Sequence, residues 1–373
     1  MEIYSARLAK VWDWMTEEGI SLVVLEDTEG RRDQNIRWLT GHPGDALLFI
    51  SQNRKAILMA WDVNLAMQYA SNAPILLVAY NDFDRQPCKA IAAAAQMLEI
   101  PAGAKIEIPS VMPYPAFLDY VGKLTNYDII CRERGACAQI KKFRAVKDEE
   151  EIAVTRKAAG ITNELIDLLE KNVRSGKIKT EADAALLIEV EARKRGCEGT
   201  SFETLAAGPK RSFAIHAFPN WTYSAFGVDG LSILDFGVRL NGYSTDVTLT
   251  FARGLTPKQE KLAALVEKAA KLAISMARNG TRAKDIAAAV DAHFAKAKKQ
   301  MPHSLGHGVG LQEHEYPIIR NHSDNEWVME PGMIFTIEPG LYDPLLGGCR
   351  LENDILITET GTEVLTASRI IHL

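Results

Sequence analysis

The dipeptide Asn241-Gly242 lies between two strand-like runs, LSILDFGV and YSTDVTLTF. Asn and Gly both tolerate positive φ, and a two-residue Asn-Gly loop closes a β-hairpin whose register is tied to the turn. If residues 240 and 241 are central, Asp235 faces Asp246. If 241 and 242 are central, Asp235 faces Thr248 and Asp246 is its diagonal neighbour. Either register puts both carboxylates on one face of the hairpin. Like charges so close repel, and the repulsion is costly on a partly buried sheet. A cation between them relieves it. The plain alternative is an exposed edge hairpin with both aspartates in water.

Three further segments carry chemistry. HSLGHGVGLQEHE holds His303, His307 and His314, three of the chain's 8 histidines. Its glycines allow close backbone approach, and neutral imidazole both ligates metals and moves protons. A glycine-rich surface loop is the competing reading. In MIFTIEPG, alternation puts Thr336 and Glu338 on one face, with Phe335 and Ile337 opposite. In CRLENDILI it puts Arg350, Glu352 and Asp354 on one face, with Leu351 and Ile355 opposite. Alone, either strand reads as a half-solvated sheet with a cross-strand ion pair.

The ordered set Asp235, Asp246, His307, Glu338 and Glu352 supplies four carboxylates and one imidazole. Structural zinc favours cysteine and histidine, whereas oxygen-rich sites suit manganese, cobalt or similar ions. Two divalent cations neutralise four carboxylates. The expectation is therefore a dinuclear centre with bridging carboxylates that holds a water or hydroxide between its ions.

At 373 residues the chain is too long for one ordinary domain and suits two. Helix Met1–Glu18 and the strands SLVVLE, ALLFIS, AILMAW, PILLVAY and KIEIP predict an α/β domain over the first third. A helical stretch is expected near 86–98. Long helices follow at about 148–172 and 180–196, then strands. Thr256-Pro257 opens another helix, with Gln259 completing a capping box and Gly280 at its C-terminal end. One more covers about 283–299, and strands close the chain. The order helix, helix, strands occurs twice, which predicts two similar halves with a site between them.

The net charge of −5 gives no global pull toward nucleic acid or anionic membrane. The 5 cysteines are scattered without a C-x-x-C pair, as expected of free thiols in a reducing cytoplasm. The N-terminus lacks the apolar run of a signal peptide, and no stretch is long and apolar enough to span a bilayer.

The stretches FETLAAGPKRSFAIHAFP, LDFGVRLNGYSTDVTLTF, SLGHGVGLQEHEYP, FTIEPGLY and GGCRLENDILIT, in that order, resemble the pita-bread metallopeptidases: methionine aminopeptidase, aminopeptidase P, prolidase and their relatives. Residues 1–140, notably NIRWLTG (Asn35 to Gly41), look like the creatinase-type domain of the proline-specific branch. The fold implied is an α/β N-terminal domain followed by an α+β pita-bread domain over 141–373. By resemblance, Asp235 would chelate one metal, Asp246 and Glu352 would bridge both, and His307 and Glu338 would complete the ligand set of the second metal. Glu338 would handle the proton of the nucleophilic water. His216 and His314 would steady the carbonyl oxygen and tetrahedral intermediate, and His303 would lie near the substrate. Arg350 would anchor a substrate carboxylate or a carboxylate of the site.

The resemblance implies hydrolysis of Xaa-Pro bonds in short peptides by a dipeptidase or an aminopeptidase, with manganese first among the metals and cobalt or zinc as alternatives. It also implies a homodimer. Two other classes share the plan: creatinase-like hydrolases of small amidine or urea compounds, and non-catalytic binding proteins. Both have lost metal ligands that this chain retains. One departure stands out. The family usually has Thr-Arg-Thr where this chain has Thr248-Leu249-Thr250, which puts nearby ion pairing in doubt.

Overall fold

The computed structural model describes residues 2–373, and the chain divides after Arg144 into two compact units. In the first, three apolar runs become adjacent antiparallel strands, Lys55–Ala60, Ala46–Ser51 and Leu22–Asp27. Leu76–Ala79 joins one side in parallel, and Lys105–Glu107 and Asp128–Ile130 join the other. Every residue of Leu22–Asp27 and Ala46–Ser51 is buried, which is why these strands read as unbroken apolar runs. Helix Glu2–Glu18 buries the predicted stripe of Leu8, Val11, Trp12 and Met15, and helix Pro87–Met97 packs Ala90, Ile91, Ala94 and Ala95 onto the sheet.

The NIRWLTG motif folds as a short helix, Gln34–Thr40. The Asp33 side chain accepts from Asn35 N–H at its start, and Gly41 ends it at φ 83°. A Cβ at Gly41 would sit 2.5 Å from the Tyr69 carbonyl oxygen, so glycine is required twice over. This helix and the helices Val63–Tyr69, Tyr114–Lys123 and Ala136–Phe143 are not legible in the sequence pattern. All are too short for periodicity to stand out.

The second unit begins with helices Glu149–Arg174 and Glu181–Lys194, each opened by a capping box, Asp148 with Glu151 and Thr180 with Asp183. They share an apolar core with Leu234, Phe236, Val247 and Phe251 of the Asp235–Asp246 hairpin. Helices Pro257–Met276 and Ala283–Lys296 share another with Phe335, Ile337, Leu351 and Ile355. The predicted repetition is therefore two packed layers of helix pair and sheet. One detail differs: Pro257–Met276 closes on Ala277, and Gly280 serves the turn beyond it, at φ 82°.

One sheet runs Ile370–His372, Val247–Arg253, Gly230–Phe236, Leu205–Ala207. The other runs Glu315–Ile319, Gly306–Gly308, Ile334–Ile337, Asn353–Ile357, Thr362–Val364. The segment expected as a single strand, CRLENDILIT, is divided between partners. Gly347–Arg350 pairs with Gly340–Asp343, Glu352 bridges to Thr248, and Asn353–Ile357 enters the second sheet. This crossing stitches the two sheets together and brings Glu352 against the hairpin of the aspartates.

Candidate metal centre

Strand pairing selects between the two hairpin registers. Asp235 faces Thr248, and Leu240 faces Tyr243, so Asn241 and Gly242 are the central turn residues. Both have positive φ, 49° and 86°, as a type I′ turn demands. The backbone N–H of Asp246 donates to Asp354 Oδ2 at 3.1 Å.

His307 lies between two glycines that have no room for a side chain. A Cβ at Gly306 or at Gly308 would fall 1.9 Å from the carbonyl oxygens of Thr336 and Tyr316 respectively. Its backbone N–H donates to Thr336 Oγ1 at 3.2 Å, and its Nδ1 pairs with the Gly308 carbonyl at 3.1 Å. A carbonyl only accepts, so Nδ1 carries the proton and Nε2 is left with its lone pair. Nε2 points at the carboxylates, 3.6 Å from Glu338 Oε1 and 3.8 Å from Asp246 Oδ2. Glu352 is 2 % exposed, and its Oε2 accepts from the Thr248 hydroxyl at 2.7 Å.

These groups strain against one another electrostatically. Burial, then the charge of Glu352, pushes the Asp246 and Glu338 carboxyls well above the usual carboxylate range. Burial, then Asp235, pushes Glu352 up to about 7. Burial, then His314, drives His307 down to about 4, so its imidazole is neutral near pH 7. Asp235 Oδ1 and Asp246 Oδ1 are buried without a hydrogen-bond partner among the described residues. Buried polar atoms are rarely left so. Ligand atoms of Asp246, His307 and Glu352 lie within 4.8 Å of one another. Converging, mutually repelling oxygens beside a neutral imidazole lone pair are what a divalent cation fits.

Around this cluster stand the other expected residues. Of the two uses open to Arg350, its contacts supply the second, a carboxylate of the site. Its Nη2 meets Asp235 Oδ2 at 2.5 Å, its Nε donates to Thr248 Oγ1 at 2.9 Å, and its Nη1 donates to the Ile215 carbonyl and the Tyr342 hydroxyl, both at 2.9 Å. His303 is engaged on both nitrogens, Nδ1 with the Ser304 carbonyl at 2.8 Å and Nε2 with Tyr342 Oη at 3.0 Å. The His314 ring packs 4.1 Å from that of His307. His216 is exposed on the loop whose Ile215 carbonyl Arg350 holds, close enough for its charge to act on His303.

Several residues of the site went unread as such. Thr336 and Asp354 share strand faces with Glu338 and Glu352, so alternation could have drawn them in. Thr248 links Arg350 to Glu352, and only the hairpin register hinted at it. Tyr342 reaches Arg350 and His303 across a hairpin that no sequence period encodes. Leu249 turns away from the site. It is fully buried in the apolar core with Phe226, Phe236 and Phe251, because alternation sends it to the opposite face from Thr248 and Thr250.

Comparison with known proteins places this geometry. Residues 153–359 match the model of metallopeptidase family M24. An Xaa-Pro dipeptidase of Pyrococcus horikoshii is 28% identical over 374 residues, with 98% of each chain covered. The fold is also that of an Xaa-Pro dipeptidase from Bacillus anthracis, at TM-score 0.84 and 23% identity over 99% of this chain and 100% of that one. An X-Pro aminopeptidase from Thermotoga maritima matches at TM-score 0.82 and 24% identity, over 98% and 99%. Dipeptidase and aminopeptidase thus share one backbone plan. The chain belongs to metallopeptidase family M24, and is a metal-dependent peptidase with the two-domain pita-bread fold.

Proposed function

We propose that the protein hydrolyses Xaa-Pro bonds in short peptides with two divalent ions, manganese foremost. The observation that carries this is the cluster of four carboxylates and His307, with Asp246 and Glu352 buried, the rest partly buried, and two aspartate oxygens left unpartnered. The specificity rests on the full-length similarity to an Xaa-Pro dipeptidase. Asp235, Asp246, His307, Glu338 and Glu352 would hold the metals, with Asp246 and Glu352 shared between them. Such ions polarise a carbonyl and bring the pKa of water toward neutrality.

The chain's own groups do the rest. Glu338, whose carboxyl is pushed up by burial and by Glu352, would accept the proton of the attacking water and pass it to the leaving nitrogen. His216 and His314, both exposed at the rim, would donate to the carbonyl oxygen as negative charge develops there. His303 would act near the substrate through its ring face, since Tyr342 and Ser304 occupy its nitrogens. Arg350 would steady Asp235 instead of gripping a substrate carboxylate. Chain length and the compact N-terminal unit favour a dipeptidase; the family resemblance supports a homodimer, and the free cysteines support a reducing cytoplasm.

The test is to load the protein with manganese, cobalt or zinc and measure release of proline from Gly-Pro and related dipeptides, beside Xaa-Pro-Yaa tripeptides. A dipeptidase cleaves only the first set. Absence of turnover on every Xaa-Pro peptide by the metal-loaded protein would sink the reading.

A further inference from the structure

The loop from Gly208 to Ser224 carries His216 and three exposed aromatic side chains, Phe213, Phe218 and Tyr223. Only Ala214, Ala217 and Trp221 of this loop pack on apolar clusters, so polar anchors carry much of its shape. Its two ends converge on one side chain from another element. Glu181, the first residue of helix Glu181–Lys194, is wholly buried. Its Oε1 accepts from the Gly208 N–H at 2.7 Å. Its Oε2 accepts from the Thr222 N–H at 2.8 Å and the Thr222 hydroxyl at 2.6 Å. The Arg211 guanidinium also donates to Oε2, and its other terminal nitrogen donates to the Pro219 carbonyl. One carboxylate therefore gathers residues 208, 211 and 222.

The other side of the loop rests on the hairpin of Gly340–Asp343 and Gly347–Arg350, which carries Arg350. Arg350 Nη1 donates to the Ile215 carbonyl at 2.9 Å, and the Gly348 N–H donates to Ser212 Oγ at 3.1 Å. A Cβ at Gly348 would meet the Ser212 carbonyl oxygen at 2.0 Å, so the two backbones are pressed together. His216 sits between these supports. Helix capping does not account for Glu181, because Thr180 and Asp183 already form the capping box. The carboxylate also accepts only, which is the chemistry that four converging donors require.

We propose that Glu181 is a positioning residue for the reaction: it fixes the Gly208–Ser224 loop so that His216 is presented to the substrate carbonyl. The catalytic half of this inference rests on the role given to His216 above. An amide in place of the carboxylate turns an NH2 group toward a donor and loosens the loop, while the Glu181 N–H to Ser224 carbonyl bond at 3.0 Å and the Ala182 N–H to Thr222 carbonyl bond at 2.9 Å remain. An aspartate, shorter by a methylene, does not reach both ends.

The experiment is a double-mutant cycle on the full-length, manganese-loaded protein with Glu181→Gln, His216→Ala and the double variant. It reads kcat and KM on the best peptide substrate, bound metal, and amide hydrogen exchange across residues 209–224. Glu181→Gln is expected to lower kcat at least 10-fold and to speed exchange in the loop, with metal content unchanged and helix Glu181–Lys194 still protected. In the His216→Ala background the same substitution should cost less than 2-fold. Unchanged loop exchange would overturn the inference, as would a double variant whose losses multiply. His216→Ala at the wild-type rate would refute the role of His216 itself and the route through it, while exchange still decides whether Glu181 holds the loop. Thr222→Val, which removes one of the four bonds, should give the same pattern more weakly and serves if Glu181→Gln does not fold.

Discussion

Arg350 Nη2 lies 2.5 Å from Asp235 Oδ2, and the arginine side chain is 2 % exposed. Burial works against its charge, and the neighbouring Tyr342, Asp235 and Glu352 outweigh it. Arg350 is therefore the fixed positive counterweight of a site otherwise crowded with negative charge. Arg350→Met leaves Asp235 uncompensated, and breaking a buried pair from one side costs about 3–5 kcal/mol. Bound divalent ions supply replacement charge, so the loss should be much smaller in the metal-loaded protein. Urea unfolding midpoints of the variant with manganese and with chelator measure this. Equal losses under both conditions would show that Arg350 does not balance the metal ligands.

Metal removal should invert the usual dependence of stability on pH. A carboxyl raised in the folded state favours the fold while protonated and loses that contribution as pH climbs through the raised value. Glu352 titrates near 7, and Asp246 and Glu338 are raised as well, all mainly by burial. His303 and His307, lowered to about 4, act oppositely, but only between about 4 and the unfolded value of 6.5. Above pH 6.5 the carboxyl effect stands alone. The chelated protein should therefore lose thermal stability from pH 6.5 to 8.5, by about 2–4 °C for each kcal/mol. The manganese-loaded protein should not. Scanning calorimetry across that window decides it; a flat or rising curve for the chelated form contradicts the cluster's electrostatics.

How much of this was visible beforehand depended on the range of the interaction. Asp235 and Asp246 were readable because an Asn-Gly turn and a period of two are local facts. Even so, two registers remained until φ of Asn241 and pairing of Asp235 with Thr248 chose one. Alternation gave the strand faces of Glu338 and Glu352, but each strand alone reads as a half-solvated sheet, and only the ordered set of five residues and the family resemblance single these two out. The split of CRLENDILIT between two sheets was hidden, since nothing local marks where a strand changes partners. Tyr342 and Glu181 were hidden for a related reason. Each acts across a hairpin or between a helix and a loop, and its partners lie at separations that no short period records.

Leu249 offers a test of that face assignment. It is fully buried in the core beside Phe236 and Phe251, while Thr248 and Thr250 hydrogen-bond Glu352 and Arg350 on the other side. Leu249→Ala should cost about 2–5 kcal/mol of stability through the cavity it leaves. It should leave metal affinity and kcat of the folded protein within about 2-fold, because its side chain packs in the apolar core on the face opposite the carboxylates. Leu249→Arg should fail more severely, since a guanidinium would enter that core unpaired. A marked loss of metal affinity in Leu249→Ala, with stability intact, would mean that this position does support the site.

The glycines around His307 should matter through backbone contact and not through flexibility. A Cβ on Gly306 would lie 1.9 Å from the Thr336 carbonyl oxygen and 3.1 Å from Thr336 Oγ1, the group that holds the His307 N–H. Gly306→Ala must push the His307 strand away from Ile334–Ile337, and Glu338 follows immediately on that strand. His307 and Glu338 then move relative to Asp246 and Glu352. Metal affinity measured by calorimetry should fall at least 10-fold, with a smaller effect on unfolding than on binding. Gly361→Ala is the matched control: nothing lies within 4 Å of its Cβ, and its φ is not in the left-handed region, so both quantities should stay at wild-type levels. If Gly306→Ala binds metal as tightly as that control, the close approach of the two strands does not set the position of His307.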